Sequence, residues 1–300
     1  MPDTTHSARA PSLPSGGEGR DEGARAHERA NAILVVDDVS KRFETAEGPV
    51  VAVDHMSFTV APGEFLAVIG PSGCGKSTLF NVIGGLIDGY EGRITVAGET
   101  VRGPHAAIGM VFQEESTFPW RTVIENVAFP LEVAGQGKRE RRERARHFIK
   151  LVGLDGFENR YPSELSGGMR QRVSMARTLA SQPKILLMDE PFASLDEQTR
   201  LLLGDKVLQI QQHLKQTTLL ITHNITEAVQ LADRILVMTY RPGRLKRMVE
   251  IALPRPRSSE IVSSEAFGRY VAAIWSDLRE EASRGMLDDE SHLRGGEQRG

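Results

Sequence analysis

The chain folds around one short stretch, Gly70-Pro71-Ser72-Gly73-Cys74-Gly75-Lys76-Ser77-Thr78. The apolar run at residues 65–69 has the length and the boundaries of a buried strand, and the apolar-periodic run at 79–83 predicts a helix. A strand, a glycine-rich turn and a helix start form the context that the P-loop pattern G-x4-G-K-[ST] requires. The stretch therefore predicts a phosphate-binding loop in an α/β protein.

The residue types of this loop suit a nucleoside triphosphate. Glycine permits a positive φ, which lets the backbone approach a polyanion closely. Successive backbone N–H groups and the start of the helix bring partial positive charge to the phosphates. Lys76 adds a full charge for the β- and γ-phosphates, and the Ser77 hydroxyl can ligate Mg²⁺.

The composition of the chain limits the classes of protein to which it can belong. A length of 300 residues with 40% hydrophobic content allows one large domain or two small ones. The net charge of −3 supplies no basic field that would favour nucleic acid as a partner. Cys74 is the only cysteine, so an intrachain disulfide is excluded and a reducing compartment is favoured. Without a long apolar run or an apolar signal segment, we expect an intracellular soluble chain that can dock on a membrane protein.

Both ends of the chain differ in composition from its middle. Residues 1–31 have almost no large apolar side chains, which predicts a disordered N-terminal extension, with a functional tail as the alternative. We expect the main domain at 32–253, a connector with a helix at 254–285, and a loose tail at 286–300. The helix is predicted because apolar residues fall at helical spacing, and we expect it to pack on its own domain. These residues are Phe267, Tyr270, Val271, Ile274, Trp275 and Leu278.

Several apolar strands end in polar residues. Asp189 and Glu190 follow one of them, and because two carboxylates cannot lie cheaply in a core, they indicate a site at the carboxyl edge of a sheet. There Asp189 would hold Mg²⁺ and Glu190 would polarise the attacking water. Gln113 follows another strand, either as a solvated loop residue or as a residue that reaches Mg²⁺ and the water. His223 follows a third, and the shared edge favours a functional histidine over a surface one.

A second glycine-rich turn lies at Ser166-Gly167-Gly168, where Ser166 is suited to cap the following helix. Backbone donors at such a helix start could hold an anion, although Ser-Gly-Gly also occurs in ordinary loops. The mixed-charge run at 138–146 is typical of a solvated helix face rather than of a nucleic-acid patch.

Together these motifs resemble the nucleotide-binding subunit of ABC transporters over about residues 32–285, and they occur in the family's order. The resemblance implies an α/β fold, the ABC cassette of P-loop NTPases. This fold has a RecA-like mixed-sheet core, an antiparallel β subdomain and a helical signature subdomain at about 114–180. The matching motifs are the Walker A loop at Gly70–Thr78, the Q-loop Gln113, the signature at 165–171, Walker B at 185–189 with Glu190, the D-loop at 194–196 and the switch His223.

The resemblance also implies an ATPase that uses ATP and Mg²⁺. Its catalytic residues would be Lys76, Gln113, Glu190 and His223, and its Mg²⁺ ligands would be Ser77, Gln113 and Asp189. Two copies would face each other head to tail, with each nucleotide between the Walker A loop of one copy and Ser166, Gly167 and Gly168 of the other. Asp196 of the D-loop would also bind the nucleotide. Phe43 matches the aromatic position that stacks on the nucleotide base.

Three short motifs, at 118–123, 241–244 and 253–257, resemble the nitrate/sulfonate/taurine importer group. This resemblance implies uptake of a small anionic or organic solute through transmembrane permease subunits, with a periplasmic or extracytoplasmic solute-binding protein acting indirectly. It also implies a peripheral location on the cytoplasmic side of the inner membrane and no nucleic-acid partner. The alternative is a non-transport ABC ATPase that acts on nucleic acid or ribosomes. Such proteins usually carry a coiled-coil insertion or a second cassette, and neither is evident here.

Overall fold

In the computed structural model, the described residues are 28–46, 48–113 and 116–297, with the backbone alone from 286 onward. They form ten strands and seven helices, besides two 3₁₀ turns and a helical turn at 28–31. The strands are β1 (Leu34–Thr45), β2 (Gly48–Val60), β3 (Phe65–Ile69), β4 (Glu91–Val96), β5 (Glu99–Thr100), β6 (Ile108–Val111), β7 (Ile185–Asp189), β8 (Thr217–Ile221), β9 (Arg234–Met238) and β10 (Leu245–Glu250). The helices are α1 (Lys76–Ile83), α2 (Val123–Val133), α3 (Lys138–Leu151), α4 (Gly167–Ala180), α5 (Glu197–Leu214), α6 (Ile225–Leu231) and α7 (Glu265–Glu297).

A six-stranded sheet with the order β10-β9-β3-β8-β7-β6 forms the centre of the fold. Its strands pair in parallel, except that β10 runs antiparallel to β9. The central strands read as continuous apolar runs because both faces of the sheet are buried in hydrophobic cores, and β3 is buried along its whole length. The P-loop follows β3 in the middle of this sheet. Because β7 and β8 run parallel to β3, their carboxyl ends lie at the same edge of the sheet as the P-loop.

A second sheet, antiparallel and four-stranded, has the order β2-β1-β4-β5. Ala97 and Gly98 join β4 to β5, and both have the positive φ that a tight hairpin turn requires. This sheet shares a hydrophobic core with α1, in which Phe80 packs with Met56 and Ile94. The second sheet therefore lies next to the helix that starts at the P-loop.

Helices α2, α3 and α4 pack together between β6 and β7 in the chain. Val127, Phe148 and Val173 contribute buried side chains to the larger core. The charged run begins α3, and the ion pair between Arg139 and Glu143 is exposed, as expected for a solvated helix face.

At both ends of the described chain, the structure differs from what the sequence led us to expect. The predicted disordered extension lies mostly outside the described residues, but residues 28–31 form a helical turn, and Arg29 in this turn pairs with Asp37 at 2.5 Å. The tail predicted to be loose is helical as far as Glu297, since its polar residues include good helix formers and no proline. Trp275 was expected on the packed face of α7, yet it is 60% exposed.

Among the described residues, no helix combines the length and the apolar character needed to cross a lipid bilayer.

Candidate functional site

The P-loop joins β3 to α1 and passes directly beside β2. Gly75 has a φ of 100°, and a Cβ at this position would lie 2.3 Å from the carbonyl oxygen of Ala52. Gly73 also has a positive φ, of 72°. Glycine is required at these positions by the close approach and by the left-handed backbone. The resulting loop ends at the N-terminus of α1, where the backbone donors of a helix are free to bind an anion.

Lys76, the first residue of α1, lies across the loop that precedes it. Its Nζ donates hydrogen bonds to the carbonyl oxygens of Gly70, at 2.9 Å, and Pro71, at 2.8 Å. The side chain is only 7% exposed, so the ammonium is held beside the loop rather than in solvent. The neighbouring Cys74 is fully buried, and burial raises the pKa of its thiol, which disfavours the reactive thiolate.

The ends of β7 and β8 bring a carboxylate and an imidazole together. Glu190 follows β7 with a φ of 44°, and its N–H donates to the carbonyl oxygen of Ile221 at 2.9 Å. Its Oε2 lies 3.0 Å from Nδ1 of His223, the second residue beyond β8. The pairing of these two parallel strands thus fixes both side chains at the carboxyl edge of the sheet.

Asp189 at the end of β7 lies near the hydroxyl of Ser77 at the start of α1, which stabilises its carboxylate. Burial raises the pKa of Asp189, and the charge of Glu190 raises it further, whereas the Ser77 hydrogen bond opposes both effects. Among the described residues, the buried Oδ1 of Asp189 has no hydrogen-bond partner. A hydroxyl beside an unpaired carboxylate oxygen suits a hard cation, so these residues fit Mg²⁺.

A cleft with a volume of about 440 Å³ opens over the P-loop. This volume falls within the usual range for small-molecule sites, about 300–1,000 Å³. Phe43 and Glu190 lie on its walls, so the predicted base-stacking and catalytic residues reach the loop from other strands. The cleft is lined by Phe43, Val50, Val51, Ala52, Ser72, Gly73, Gly75, Lys76, Ser77, Thr78, Glu190 and Arg241.

Other predicted site residues lie away from this cleft. Gln113 is exposed beyond the end of β6 and does not line the cleft, so its contact with Mg²⁺ stays a prediction. Ser166 caps α4 by accepting a hydrogen bond from the N–H of Met169 at 3.3 Å. Asp196 caps α5 by accepting from the N–H of Thr199 at 2.9 Å. Within one chain, the signature turn and Asp196 therefore have local capping roles and do not share the cleft.

Sequence reasoning missed two residues beside the predicted ones. Glu227 on α6 accepts a hydrogen bond from the hydroxyl of Thr222, which immediately precedes His223. Arg241, in the turn after β9, lines the cleft itself. Asn224, which follows His223, caps α6 by accepting a hydrogen bond from the N–H of Glu227. A glycine-containing turn between two strands was the available signal for Arg241, whereas no local signal marks a buried glutamate within a helix.

The comparisons with known proteins agree with this geometry. The model of the family described as "ABC transporter" matches residues 53–193. The uncharacterized ABC transporter ATP-binding protein MJ0412 of Methanocaldococcus jannaschii is 47% identical, over 89% of this chain and 99% of that protein. The nitrate import ATP-binding protein NrtD of Synechocystis is 43% identical, over 82% and 95%. The aliphatic sulfonates import ATP-binding protein SsuB of Bacillus cereus is 42% identical, over 77% and 90%.

Solved structures of ATP-binding cassettes share the fold. The dimeric cassette MJ0796, in a post-hydrolysis state with ADP and phosphate, has a TM-score of 0.65 and 32% identity, and covers 74% of this chain and 100% of its own. The structure of cbiO1 from Clostridium perfringens has a TM-score of 0.68 and 26% identity, over 80% and 94%. The predictions of an ABC cassette and of ATP hydrolysis are thereby confirmed. The chain belongs to the ABC transporter ATP-binding proteins and is an ATPase of that family.

Proposed function

We propose that this chain energises the uptake of a small anionic or organic solute, of the nitrate, sulfonate or taurine type, through a separate permease. The observation that carries this proposal is the similarity, over most of the chain, to relatives named as nitrate and sulfonate import proteins. The short motifs at 118–123, 241–244 and 253–257 resemble the same importer group.

In the proposed reaction, the P-loop amides and Lys76 bind the triphosphate of ATP. Ser77 and Asp189 would hold Mg²⁺, with Gln113 as a further ligand, and the bound ion would neutralise charge on the phosphates. Glu190 would accept a proton from the attacking water, because its carboxylate reaches the cleft from the end of β7. His223 orients that carboxylate through the 3.0 Å contact and would contact the γ-phosphate.

A second copy completes the site in this proposal. The chain carries two anion-binding turns, the P-loop and Ser166–Gly168, and only the first lines the cleft. A head-to-tail pair would bring the signature turn and Asp196 of one copy to the nucleotide of the other. The similarity to a dimeric cassette with bound ADP and phosphate supports this arrangement. ATP would favour the closed pair through contacts that only the closed state makes, and hydrolysis would reopen it.

We infer that the permease docks on the helical subdomain, on the cytoplasmic side of the membrane. A groove between α2 and the start of α3 carries Trp120, which is 72% exposed. An exposed aromatic residue beside charged side chains is typical of an interaction site. The groove is lined by Trp120, Arg121, Ile124, Glu125, Ala128, Glu132, Lys138, Arg141 and Arg142.

An affinity purification from the host membranes in a gentle detergent tests this proposal, with partners identified by mass spectrometry. We expect the parent chain to recover a multi-span permease, and the Trp120→Ala variant to recover at least about tenfold less, as for loss of an interface hot spot. Trp275→Ala is the matched control, because it removes an exposed tryptophan from α7 instead. Recovery of ribosomal or DNA-bound proteins without a permease would overturn the transport function. Equal recovery by the two tryptophan variants would overturn the docking groove.

Solute uptake tests the substrate class separately. Cells that lack the endogenous subunit would be supplied with the parent chain or with the Glu190→Gln variant, and the uptake of labelled nitrate, taurine and an alkanesulfonate would be measured. We expect uptake of one of these solutes with the parent chain only. Uptake that is equal with both chains would contradict a role for ATP hydrolysis by this subunit.

A further inference from the structure

The turn between β9 and β10 forms one wall of the nucleotide cleft. The N–H of Gly243 donates to the carbonyl oxygen of Ala52 at 3.1 Å, and the N–H of Asp54 donates to the carbonyl oxygen of Gly243 at 3.0 Å. A Cβ at Gly243 would lie 2.2 Å from the carbonyl oxygen of Cys74, within the P-loop. The turn is therefore bound to β2 through the backbone and packed against the P-loop.

Arg241 in this turn presents a cation to the cleft. Its Nε donates to the carbonyl oxygen of Gly73 at 3.0 Å, and its side chain lines the cleft together with Lys76. Among the described residues, Gly73 is the only hydrogen-bond acceptor of this guanidinium, and no carboxylate pairs with it. A guanidinium carries several further N–H donors in a planar fork that matches phosphate geometry. These donors are available at the P-loop.

Arg244 in the same turn differs from Arg241 in this respect. Its Nε lies 2.8 Å from Oδ2 of Asp54, and it does not line the cleft. The charge of Arg244 is thus matched by a carboxylate of β2, whereas the charge of Arg241 is not. Only one of the two arginines is placed to meet an anion in the cleft.

Helix α7 holds the turn from its other side. Oε2 of Glu281 accepts a hydrogen bond from the N–H of Tyr240 at 2.9 Å, and Oε1 lies 2.7 Å from Nζ of Lys246. The Glu281 side chain is buried, so this ion pair is shielded from solvent. The backbone that carries Arg241 is therefore fixed on both sides before any ligand binds, which reduces the entropy lost on binding.

We propose that Arg241 is a nucleotide-contacting residue, whose guanidinium binds phosphate oxygens of ATP alongside Lys76 and the P-loop amides. The contact would add a second full positive charge to the site, from the β9–β10 turn. This inference rests on the assignment of the P-loop cleft as the ATP site. It does not depend on the solute or on the permease.

Equilibrium binding of ATP and ADP to the purified full chain tests the contact. Arg241→Gln removes the charge at the cleft, and Arg244→Gln is the matched control, because it removes one positive charge from the same turn. We expect Arg241→Gln to bind ATP about tenfold more weakly than the parent, and Arg244→Gln to bind within about twofold. The affinity of Arg241→Lys should fall between those of the parent and Arg241→Gln, because lysine keeps the charge without the fork. Raising the ionic strength should weaken binding less in Arg241→Gln than in the parent.

Thermal unfolding separates direct contact from a purely structural role. Direct contact predicts that, without nucleotide, Arg241→Gln melts within about 2 °C of the parent, because the turn keeps its backbone bonds, while the ATP-induced rise in melting temperature becomes smaller. Equal ATP affinity in the two glutamine variants would overturn the proposal. So would a loss of affinity in Arg241→Gln that its lower melting temperature fully accounts for. Parent-like binding by Lys76→Ala would instead overturn the cleft as the ATP site, and this proposal with it.

Discussion

Replacing Glu227 with glutamine should stabilise the chain at and above neutral pH. The Glu227 side chain on α6 is 6% exposed, and its Oε2 accepts a hydrogen bond of 2.6 Å from the Thr222 hydroxyl. Its Oε1 is also buried and has no hydrogen-bond partner among the described residues. The pKa of Glu227 is raised to about 7, chiefly by burial and in part by the charges of Glu190 and Glu197, against the opposing effects of the Thr222 hydrogen bond and of Arg200.

The sign of the effect follows from which state binds more protons. The pKa of Glu227 is near its ordinary value of 4.5 in the unfolded chain and about 7 in the folded chain. Between these values the folded chain holds the proton that the unfolded chain has lost. The free energy of unfolding therefore falls as the pH rises from about 4.5, and becomes level above about 7. The total loss is about 3 kcal/mol, at 1.36 kcal/mol for each pH unit.

Glutamine has no proton to lose, and its amide oxygen can accept the same hydrogen bond from Thr222. The free energy of unfolding of the Glu227→Gln variant should therefore exceed that of the parent by about 1 kcal/mol at pH 5 and by up to about 3 kcal/mol at pH 8. Urea unfolding at a series of pH values between 5 and 8 measures this difference. Glu260→Gln is the control, because that side chain is exposed. A difference between Glu227→Gln and the parent that does not grow with pH would refute the reasoning.

Three further predictions follow from single contacts. Gly75→Ala should lower the affinity for ATP at least about 100-fold in equilibrium binding, because its methyl would lie 2.3 Å from the Ala52 carbonyl oxygen; parent-like affinity would contradict the loop geometry. Glu190→Gln should keep ATP binding but slow phosphate release by about 100-fold or more, and an unchanged rate would exclude Glu190 as the base. Arg257 is buried and donates to three backbone carbonyls, so Arg257→Met should lose about 3 kcal/mol in urea unfolding; a loss below about 1 kcal/mol would count against this bonding.

Features encoded by adjacent residues could be predicted from the sequence. The boundaries of β3 and the presence of α1 follow from an apolar run, a glycine-rich turn and a helical period, although α1 begins at Lys76, before the apolar-periodic run at 79–83. Glu190 and His223 meet at one sheet edge because each lies just beyond a buried strand, and the two strands pair in parallel. Ser166 was expected to cap α4, and its hydroxyl does accept the N–H of Met169.

Contacts between distant segments could not be predicted in this way. Arg241 reaches Gly73 across 168 positions of the chain, and only the pairing of β9 with β3 brings the two segments together. The same limit applies to Glu281, which is one of many acidic residues until α7 packs beside β9 and β10. The exposure of Trp275 was misjudged for a related reason. The spacing of apolar residues defines one face of α7. The elements that pack on this face decide which of the residues along its edge are buried.

The Lys76 contacts indicate how the binding energy of ATP is divided in the proposed mechanism. The Lys76 ammonium already donates to two carbonyl oxygens, so a phosphate that binds it replaces existing hydrogen bonds rather than satisfying a free charge. The net gain from this exchange is smaller than the gain from an unpaired cation. Arg241 and the P-loop amides would then supply much of the affinity in one chain, and the signature turn of a second copy would add contacts that exist only in the closed pair. Because only a difference in affinity between two states can shift their populations, those added contacts would drive closure.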